Sequence, residues 1–234
     1  MKNLIKCHLN YMVFKATIIV TFVVSFILFI ATLSSVFLID KEIGFNDNNY
    51  IYFHNVFMIC KFVIIVYSIF LFGYSFTSKL DQYIVIFIAA GISRYKIIIT
   101  KLIALCIVVL IVCYFSYFQY VCVGFIFYKE FIFDIKYLES FISLLLLALY
   151  YGFFSLLLMQ IFDNIYVIII PFALMNLSEI INEDSGKIIE AINYVILNYS
   201  NKLYFHYSSI HAMFLIIILV VINIYFYGYK DLKN

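Results

Sequence analysis

Charged residues are scarce in this 234-residue chain, and their scarcity excludes a water-soluble fold. Only 12% of the residues are charged and 67% are hydrophobic, whereas soluble domains have about 25% and about 45–50%. The hydrophobic residues form runs of about 17–24, the length that an α-helix needs to cross about 30 Å of hydrocarbon. Such runs exclude a β-barrel, whose strands alternate in short segments. We therefore expect an all-α integral membrane protein.

Residue patterns that carry chemistry are also missing. The five cysteines form no CxxC pair, which argues against a disulfide framework or a zinc site and favours a packing role. The chain has no phosphate-binding loop G-x-x-x-x-G-K-[ST], and its hydrophobic runs lack the Asp, Glu or His ladder of a proton-driven carrier. Its net charge of +2 carries no nucleic-acid signal. We expect no catalytic site, metal or cofactor in this chain.

Six hydrophobic runs predict six transmembrane helices in a single domain that covers residues 1–234. The runs are residues 16–39, 56–76, 102–123, 141–161, 165–181 and 212–228. Residues 1–15 are amphipathic at helical spacing and predict a helix in the membrane interface. Residues 186–199 have the same pattern and predict a helical insertion between the fifth and sixth spans.

The distribution of lysine and arginine predicts the orientation in the membrane. If the termini are inside, nine basic residues lie on the inner side and five on the outer side. The positive-inside rule then places both termini in the cytoplasm. The abundance of Lys, Ile, Tyr, Phe and Asn hints at an AT-rich bacterial genome, so we expect a multi-pass protein of the bacterial cytoplasmic membrane.

One polar, basic interruption separates the second and third spans. It covers residues 78–101 and contains the only arginine, Arg94. Gly91 and Ser93 predict a turn, after which Arg94 and Lys96 form a basic edge at the start of the third helix. A helix held between two spans can transmit force from a soluble motor, because packed helices move as units. The charges alone favour a simpler role, the anchoring of the third helix at anionic headgroups.

This interruption resembles the segment after the second helix in permeases of the ABC-2 exporter type, which belong to the ATP-binding-cassette transporters. In that family a small residue, then Ile-Ser-Arg, then a lysine several residues later follow the coupling helix that docks on the ATPase. Gly91, Ile92, Ser93, Arg94 and Lys101 match this pattern. For the whole chain, the resemblance implies an amphipathic N-terminal helix, six spans, cytoplasmic termini and a helical insertion on the outer side between the fifth and sixth spans.

The resemblance also implies partners and a role for the interruption. It implies a separate cytoplasmic ATPase that uses ATP and Mg²⁺, a second permease subunit, identical or different, and a surrounding lipid bilayer. The residues that it assigns to ATPase coupling are Leu80, Asp81, Gly91, Ile92, Ser93, Arg94 and Lys96.

Three residues inside the spans are candidates for a substrate path. Lys61 lies in the second span and Pro171 and Asn176 lie in the fifth. The simpler readings are a lysine that snorkels to the outer interface and a kink with a polar contact between helices. Because spans three to six contain almost no charge, an apolar or amphipathic cargo such as a peptide, lipid or drug is favoured over an ion.

A second function comes from a different class. The chain would then be a non-transporting polytopic membrane protein, such as an immunity or assembly factor, that acts by helix–helix binding. This alternative predicts that no ATPase is bound and that Arg94→Ala is tolerated.

Overall fold

The computed structural model describes residues 16–37, 45–76, 87–127, 135–180 and 207–229, and all regular structure in these ranges is helical. The predicted all-α fold is thus confirmed for the described part of the chain. Its helices, in chain order, are α1 (Ala16–Phe37), α2 (Phe45–Ser75), α3 (Arg94–Phe127), α4 (Ile135–Phe162), a 3₁₀ helix (Ile165–Ile168), α5 (Ile169–Ile180) and α6 (Tyr207–Tyr229).

Within the described ranges, five helices are long and apolar enough to cross a membrane: α1, α2, α3, α4 and α6. The fifth predicted span is instead divided between the 3₁₀ helix and α5. α5 has 12 described residues, which extend about 18 Å along its axis, so the fifth of the six predicted spans stays a prediction. The predicted helices at residues 1–15 and 186–199 lie outside the described residues.

The helices α2, α3, α4 and α6 all begin before the predicted spans, α2 and α3 by the most. α2 begins at Phe45 rather than at residue 56, and α3 begins at Arg94 rather than at residue 102. The reason is that hydropathy identifies only the part of a helix that suits hydrocarbon, while polar residues continue the backbone hydrogen bonds beyond it. The added turns of α2 include Tyr52 and Phe53, which are buried.

α2 and α4 run parallel to each other at the centre of the bundle. The Ser68 hydroxyl donates a hydrogen bond to the Ala148 carbonyl over 2.7 Å, and the Ser155 hydroxyl donates to the Ile69 carbonyl over 3.0 Å. Positions further along α2 thus meet positions further along α4. These bonds satisfy polar groups between helices in a region that offers no water.

α3 runs antiparallel to α2. Tyr52 near the start of α2 stacks on Tyr120 near the end of α3, with ring centroids 5.2 Å apart. Phe76, just after α2, lies against Lys101 near the start of α3. Phe76 also meets Tyr227 near the end of α6, with ring centroids 5.6 Å apart. We call this end of the bundle, where α2 and α6 end and Arg94 opens α3, the basic end.

The first halves of α2 and α4 are joined by aromatic rings. Phe53 stacks on Tyr137 with ring centroids 4.0 Å apart, and Phe57 meets the edge of Phe141 at 5.8 Å. We call the whole group the aromatic cluster; its members are Tyr52, Phe53, Phe57, Tyr117, Tyr120, Tyr137 and Phe141. Stacked and edge-to-face rings add about 0.5–1.5 kcal/mol per pair beyond the area that they bury.

The second halves of the same two helices are joined by small residues. A Cβ at Gly152 would lie 2.6 Å from the Ser68 hydroxyl oxygen, and one at Gly73 would lie 2.9 Å from the Ser155 hydroxyl oxygen. A glycine thus faces a serine twice: once with the glycine on α4 and the serine on α2, and once with the glycine on α2 and the serine on α4. We call Ser68, Gly73, Gly152 and Ser155 the glycine–serine seam. Small residues of this kind let helix backbones approach closely in a membrane.

α1 and α6 lie at the periphery and bury less of their surface than the three helices between them. α1 is tied to the bundle by a 2.7 Å hydrogen bond between the hydroxyls of Thr21 and Tyr67. α6 is tied by the Asn223 amide, which donates to the Phe153 carbonyl over 3.1 Å. The remaining faces of both helices present large hydrophobic side chains, as expected of surfaces that contact lipid.

Candidate functional site

The turn before α3 is a defined helix-ending motif. The Gly91 amide donates to the Ile88 carbonyl over 2.9 Å, and the Ile92 amide donates to the Phe87 carbonyl over 3.1 Å. This pair of bonds is the Schellman arrangement, with Gly91 as the residue just beyond the helix end. Phe87 and Ile92 are both partly buried against the core, as the hydrophobic contact of that motif requires. The turn is therefore fixed both by hydrogen bonds and by packing.

Gly91 is needed for its backbone conformation and not for space. Its φ angle is +80°, a region that costs residues with a Cβ about 1 kcal/mol or more. An added Cβ would meet no atom within 4 Å. The surface around Gly91 is open, so a larger residue here would strain the turn without a collision.

The first turn of α3 presents a polar edge. The Ser93 carbonyl accepts hydrogen bonds from the amides of Lys96 and Ile97, over 3.0 and 3.2 Å, and so starts the helical ladder. Ser93, Tyr95 and Lys96 are exposed and Arg94 is partly exposed. A charged and hydroxyl-bearing edge therefore projects from the bundle immediately after a rigid turn.

Tyr95 fixes this edge to the end of α6. A Cβ at Gly228 would lie within 2.7–2.8 Å of three atoms of the Tyr95 ring and hydroxyl. The ring therefore rests against the α6 backbone, in space that only glycine leaves open. The start of α3 and the end of α6 are in direct contact at the basic end.

Lys101 is a buried cation one and a half to two turns into α3. It is 1% exposed, and its Nζ atom lies 3.9 Å from the centre of the Phe76 ring. A cation over an aromatic face is stabilised by about 0.5–2 kcal/mol, more when water is excluded. Because Phe76 also meets Tyr227, these three side chains join the ends of α2, α3 and α6.

The predicted coupling residues fall into two groups. Gly91, Ile92, Ser93, Arg94 and Lys96 lie together in the turn and the first turn of α3, as their sequence proximity requires. Leu80 and Asp81 lie outside the described residues.

Sequence reasoning missed the aromatic partners of this end, Phe76, Tyr95 and Tyr227. The one signal that pointed to them is the charge of Lys101, since a lysine so deep in a hydrophobic helix needs a partner. It could not identify which ring supplies one.

Lys61 lies in the middle of α2 rather than near the start of a span. The membrane-length part of α2 covers Tyr50–Ser75, because the helix begins earlier than the hydropathy predicted. The side chain is 9% exposed. Burial at this depth argues against the snorkelling interpretation, which needs a nearby interface.

The two predicted residues of α5 take local roles. Pro171 is the third residue of α5 and is buried; its missing amide falls in the first helical turn, where a proline is tolerated. The Asn176 amide donates to the Phe172 carbonyl of its own helix over 2.8 Å, so this bond is not a contact between helices. Phe172 also meets the edge of the Phe62 ring at 6.3 Å. α5 therefore packs near Lys61, and the three path candidates occupy neighbouring elements.

The five long apolar helices are those of a multi-pass membrane protein. No protein-family model matches the chain, and no curated protein matches it. Across the part of the chain that the structure describes, no group of three or more His, Cys, Asp or Glu side chains is placed to hold a metal. The basic end is therefore the candidate functional site.

Proposed function

We propose that this chain is the membrane-spanning permease subunit of an ATP-driven exporter of the ABC-2 type. A separate cytoplasmic ATPase binds the segment of residues 80–96, and ATP-driven closure of two ATPase copies moves the helices attached to it. A second permease subunit completes the pathway. This chain itself binds no nucleotide.

The observation that carries the proposal is the way the turn before α3 is built. A segment that transmits force from a soluble partner needs a rigid attachment to its helix and an accessible contact surface, and the turn before α3 has both. The Gly91 turn is fixed by two hydrogen bonds and by the packing of Phe87 and Ile92. The side chains of Ser93 and Lys96 that follow it are exposed. Force applied at this edge would pass directly into α3.

Contacts beyond the turn extend the same argument. Tyr95 rests on Gly228, and Lys101 lies over Phe76. A displacement of the start of α3 would therefore also act on the ends of α6 and α2. This coupling of three helices at one end is consistent with a device that opens a path between helices.

The remaining features of the proposal follow from the resemblance and from the distribution of charge. The chain lies in the bacterial cytoplasmic membrane with six spans and both termini in the cytoplasm, so the basic end faces the ATPase. α5 with the preceding 3₁₀ helix forms part of the fifth crossing. The cargo is apolar or amphipathic, and Lys61, Pro171 and Asn176 lie beside its path. Transport assays in which only small ions move would contradict this cargo class.

The decisive experiment is affinity purification from the native host in mild detergent, followed by mass spectrometry. We expect a near-stoichiometric ATP-binding-cassette ATPase to copurify with the wild-type chain. Arg94→Ala removes a cation from the contact edge, and Gly91→Val strains the turn, so both should reduce the recovered ATPase at least severalfold while membrane insertion stays intact.

The matched control is Lys136→Ala, which removes one exposed cation from the start of α4, at the opposite end of the bundle. It should leave ATPase recovery unchanged. An intact chain that purifies without any ATPase, or full ATPase recovery with Arg94→Ala, would contradict the proposal. Either result would favour a non-transporting membrane protein that acts by helix–helix binding.

A further inference from the structure

A hydrophobic groove lies between α3, α4 and α6. Its volume is about 290 Å³, near the lower limit of about 300 Å³ for small-molecule pockets. The lining side chains are hydrophobic apart from one thiol, and they include Ile99, Ile103, Cys106 and Leu110 of α3, Leu149 of α4 and Ile224 of α6. A site of this size and character fits one thin hydrocarbon chain better than a compact polar molecule.

The length and position of the groove match one leaflet of a bilayer. From Ile99 to Leu110 the groove extends about 16 Å along α3, and one leaflet contributes about 15 Å of hydrocarbon. Ile99 lies close to the basic end, and Leu110 lies near the middle of α3. An acyl chain that enters from the leaflet at the basic end would fill the groove and stop near the bilayer centre.

A cation lies at the point where such a chain would join its headgroup. Lys96 precedes Ile99 by one helical turn and therefore lies on the same face of α3, and its side chain is exposed. The residue before Lys96 is Tyr95, whose ring rests on Gly228 of α6, so α3 and α6 are in contact at this end of the groove.

Among the described residues, positive charge predominates at this end. Arg94, Lys96 and Lys101 are the described cations of the basic end, against one described carboxylate, Asp163. A headgroup at the mouth of the groove would therefore meet a field that favours an anion, and lysine and arginine near a membrane surface attract anionic lipids.

We propose that this groove is a binding site for an anionic phospholipid, with one acyl chain along α3 and the phosphate beside Lys96 and Arg94. The site requires only the membrane and this chain, so lipid binding can be tested independently of a partner ATPase. It would place a bound lipid in contact with the same helix turn that we propose as the coupling edge.

The test is a lipid titration of the purified chain in detergent, read by native mass spectrometry. Phosphatidylglycerol and phosphatidylcholine with identical acyl chains are the two probes. We expect phosphatidylglycerol to bind at least about fivefold more tightly than phosphatidylcholine. Lys96→Ala should abolish this preference, whereas Lys136→Ala should retain it. Ile103→Phe fills the groove and should weaken the binding of both lipids. Ile111→Phe, on an exposed face of α3, should not change the binding of either lipid.

Cys106 supplies a second readout without a substitution in the groove. Because its thiol lines the site, phosphatidylglycerol should slow its alkylation by a maleimide, and phosphatidylcholine at the same concentration should slow it less. Equal affinity for the two lipids, or an alkylation rate that neither lipid changes, would overturn the proposal. Efficient cross-linking of Cys106 to Cys106 between two chains would also overturn it, because a second copy would then occupy the groove.

Discussion

The same two helices are joined in opposite ways along their length. In their first halves α2 and α4 meet through the aromatic cluster, where Phe53 and Tyr137 stack at 4.0 Å. In their second halves they meet through the glycine–serine seam, where an added Cβ at Gly152 would lie 2.6 Å from Ser68. The first contact consists of large side chains that fill space, and the second consists of missing side chains that let backbones approach.

This difference determines which substitutions each region tolerates. A ring removed from the aromatic cluster leaves a cavity, whose cost rises with the volume lost. An atom added to the glycine–serine seam would clash with its neighbours, because protein interiors are close-packed. Such overpacking forces side chains from their preferred rotamers. The cluster should therefore be sensitive to truncation, and the seam to enlargement.

Phe53→Ala should produce the largest effect. Phe53 is 1% exposed and contacts rings of α3 and α4, so its truncation should lower the free energy of unfolding by about 3–5 kcal/mol. Unfolding by SDS in mixed micelles measures this change. Phe70→Ala is the matched control, since Phe70 belongs to the same helix and is largely exposed. Equal losses for the two variants would show that the cluster does not differ from the lipid-facing surface.

Gly152→Ala should have the next largest effect. The new methyl group would meet the Ser68 hydroxyl and the Phe72 ring at 2.6 and 2.8 Å, and Phe72 is itself held edge to face by Phe153 at 4.9 Å. Overpacking of about 1–3 kcal/mol exceeds the gain of up to about 1 kcal/mol from the better helix propensity of alanine. The same SDS titration should detect a net loss of about 1–2 kcal/mol.

Gly73→Ala tests the same seam at a softer position. Its nearest neighbours are the Cδ1 and Cγ1 atoms of Ile168, which a rotamer change can move, so its loss should be smaller than that of Gly152→Ala. Ile168→Val removes Cδ1 and should recover part of that loss in a double-mutant cycle. If Gly73→Ala loses as much stability as Gly152→Ala and Ile168→Val recovers none of that loss, the Ile168 side chain does not set the cost at Gly73.

Ser68→Ala should have the smallest effect of the series. It removes the interhelical hydrogen bond to the Ala148 carbonyl, and such bonds contribute about 0.6 kcal/mol and at most about 1.7 kcal/mol in a membrane. Ser75→Ala is the control, because the Ser75 hydroxyl donates to Leu71 within its own helix. A loss for Ser75→Ala as large as that for Ser68→Ala would mean that the interhelical bond adds nothing specific.

The sequence predicted the helices well because their signal is local. Runs of hydrophobic residues located five helices that can cross a membrane. The runs failed at the ends, since Phe45 and Arg94 begin helices that continue beyond the apolar part. In the fifth predicted span the described residues form a 3₁₀ helix followed by α5, so this crossing stays a prediction. Hydropathy reports the solvent of a residue and not its backbone hydrogen bonds.

The candidate site was predictable only where its residues adjoin in sequence. Gly91 gave a turn because glycine readily adopts positive φ, and the turn is present at that position. The contacts of Lys101 with Phe76 and of Tyr95 with Gly228 join residues from different helices. Which helix faces meet depends on the packing of the whole bundle, and no periodicity within one helix specifies it. The coupling role of this site stays a prediction.

The parallel pairing of α2 with α4 has a consequence for how the protein is made. Parallel helices cannot be neighbours in a simple hairpin, so the chain must cross the membrane through α3 before α4 becomes available to α2. During synthesis Ser68 and Gly73 of α2 therefore enter the membrane before their partners on α4 have been translated. The core of the bundle closes only after the fourth helix has entered the membrane, and a ribosome that stalls before Ser155 would leave its central interface unmade.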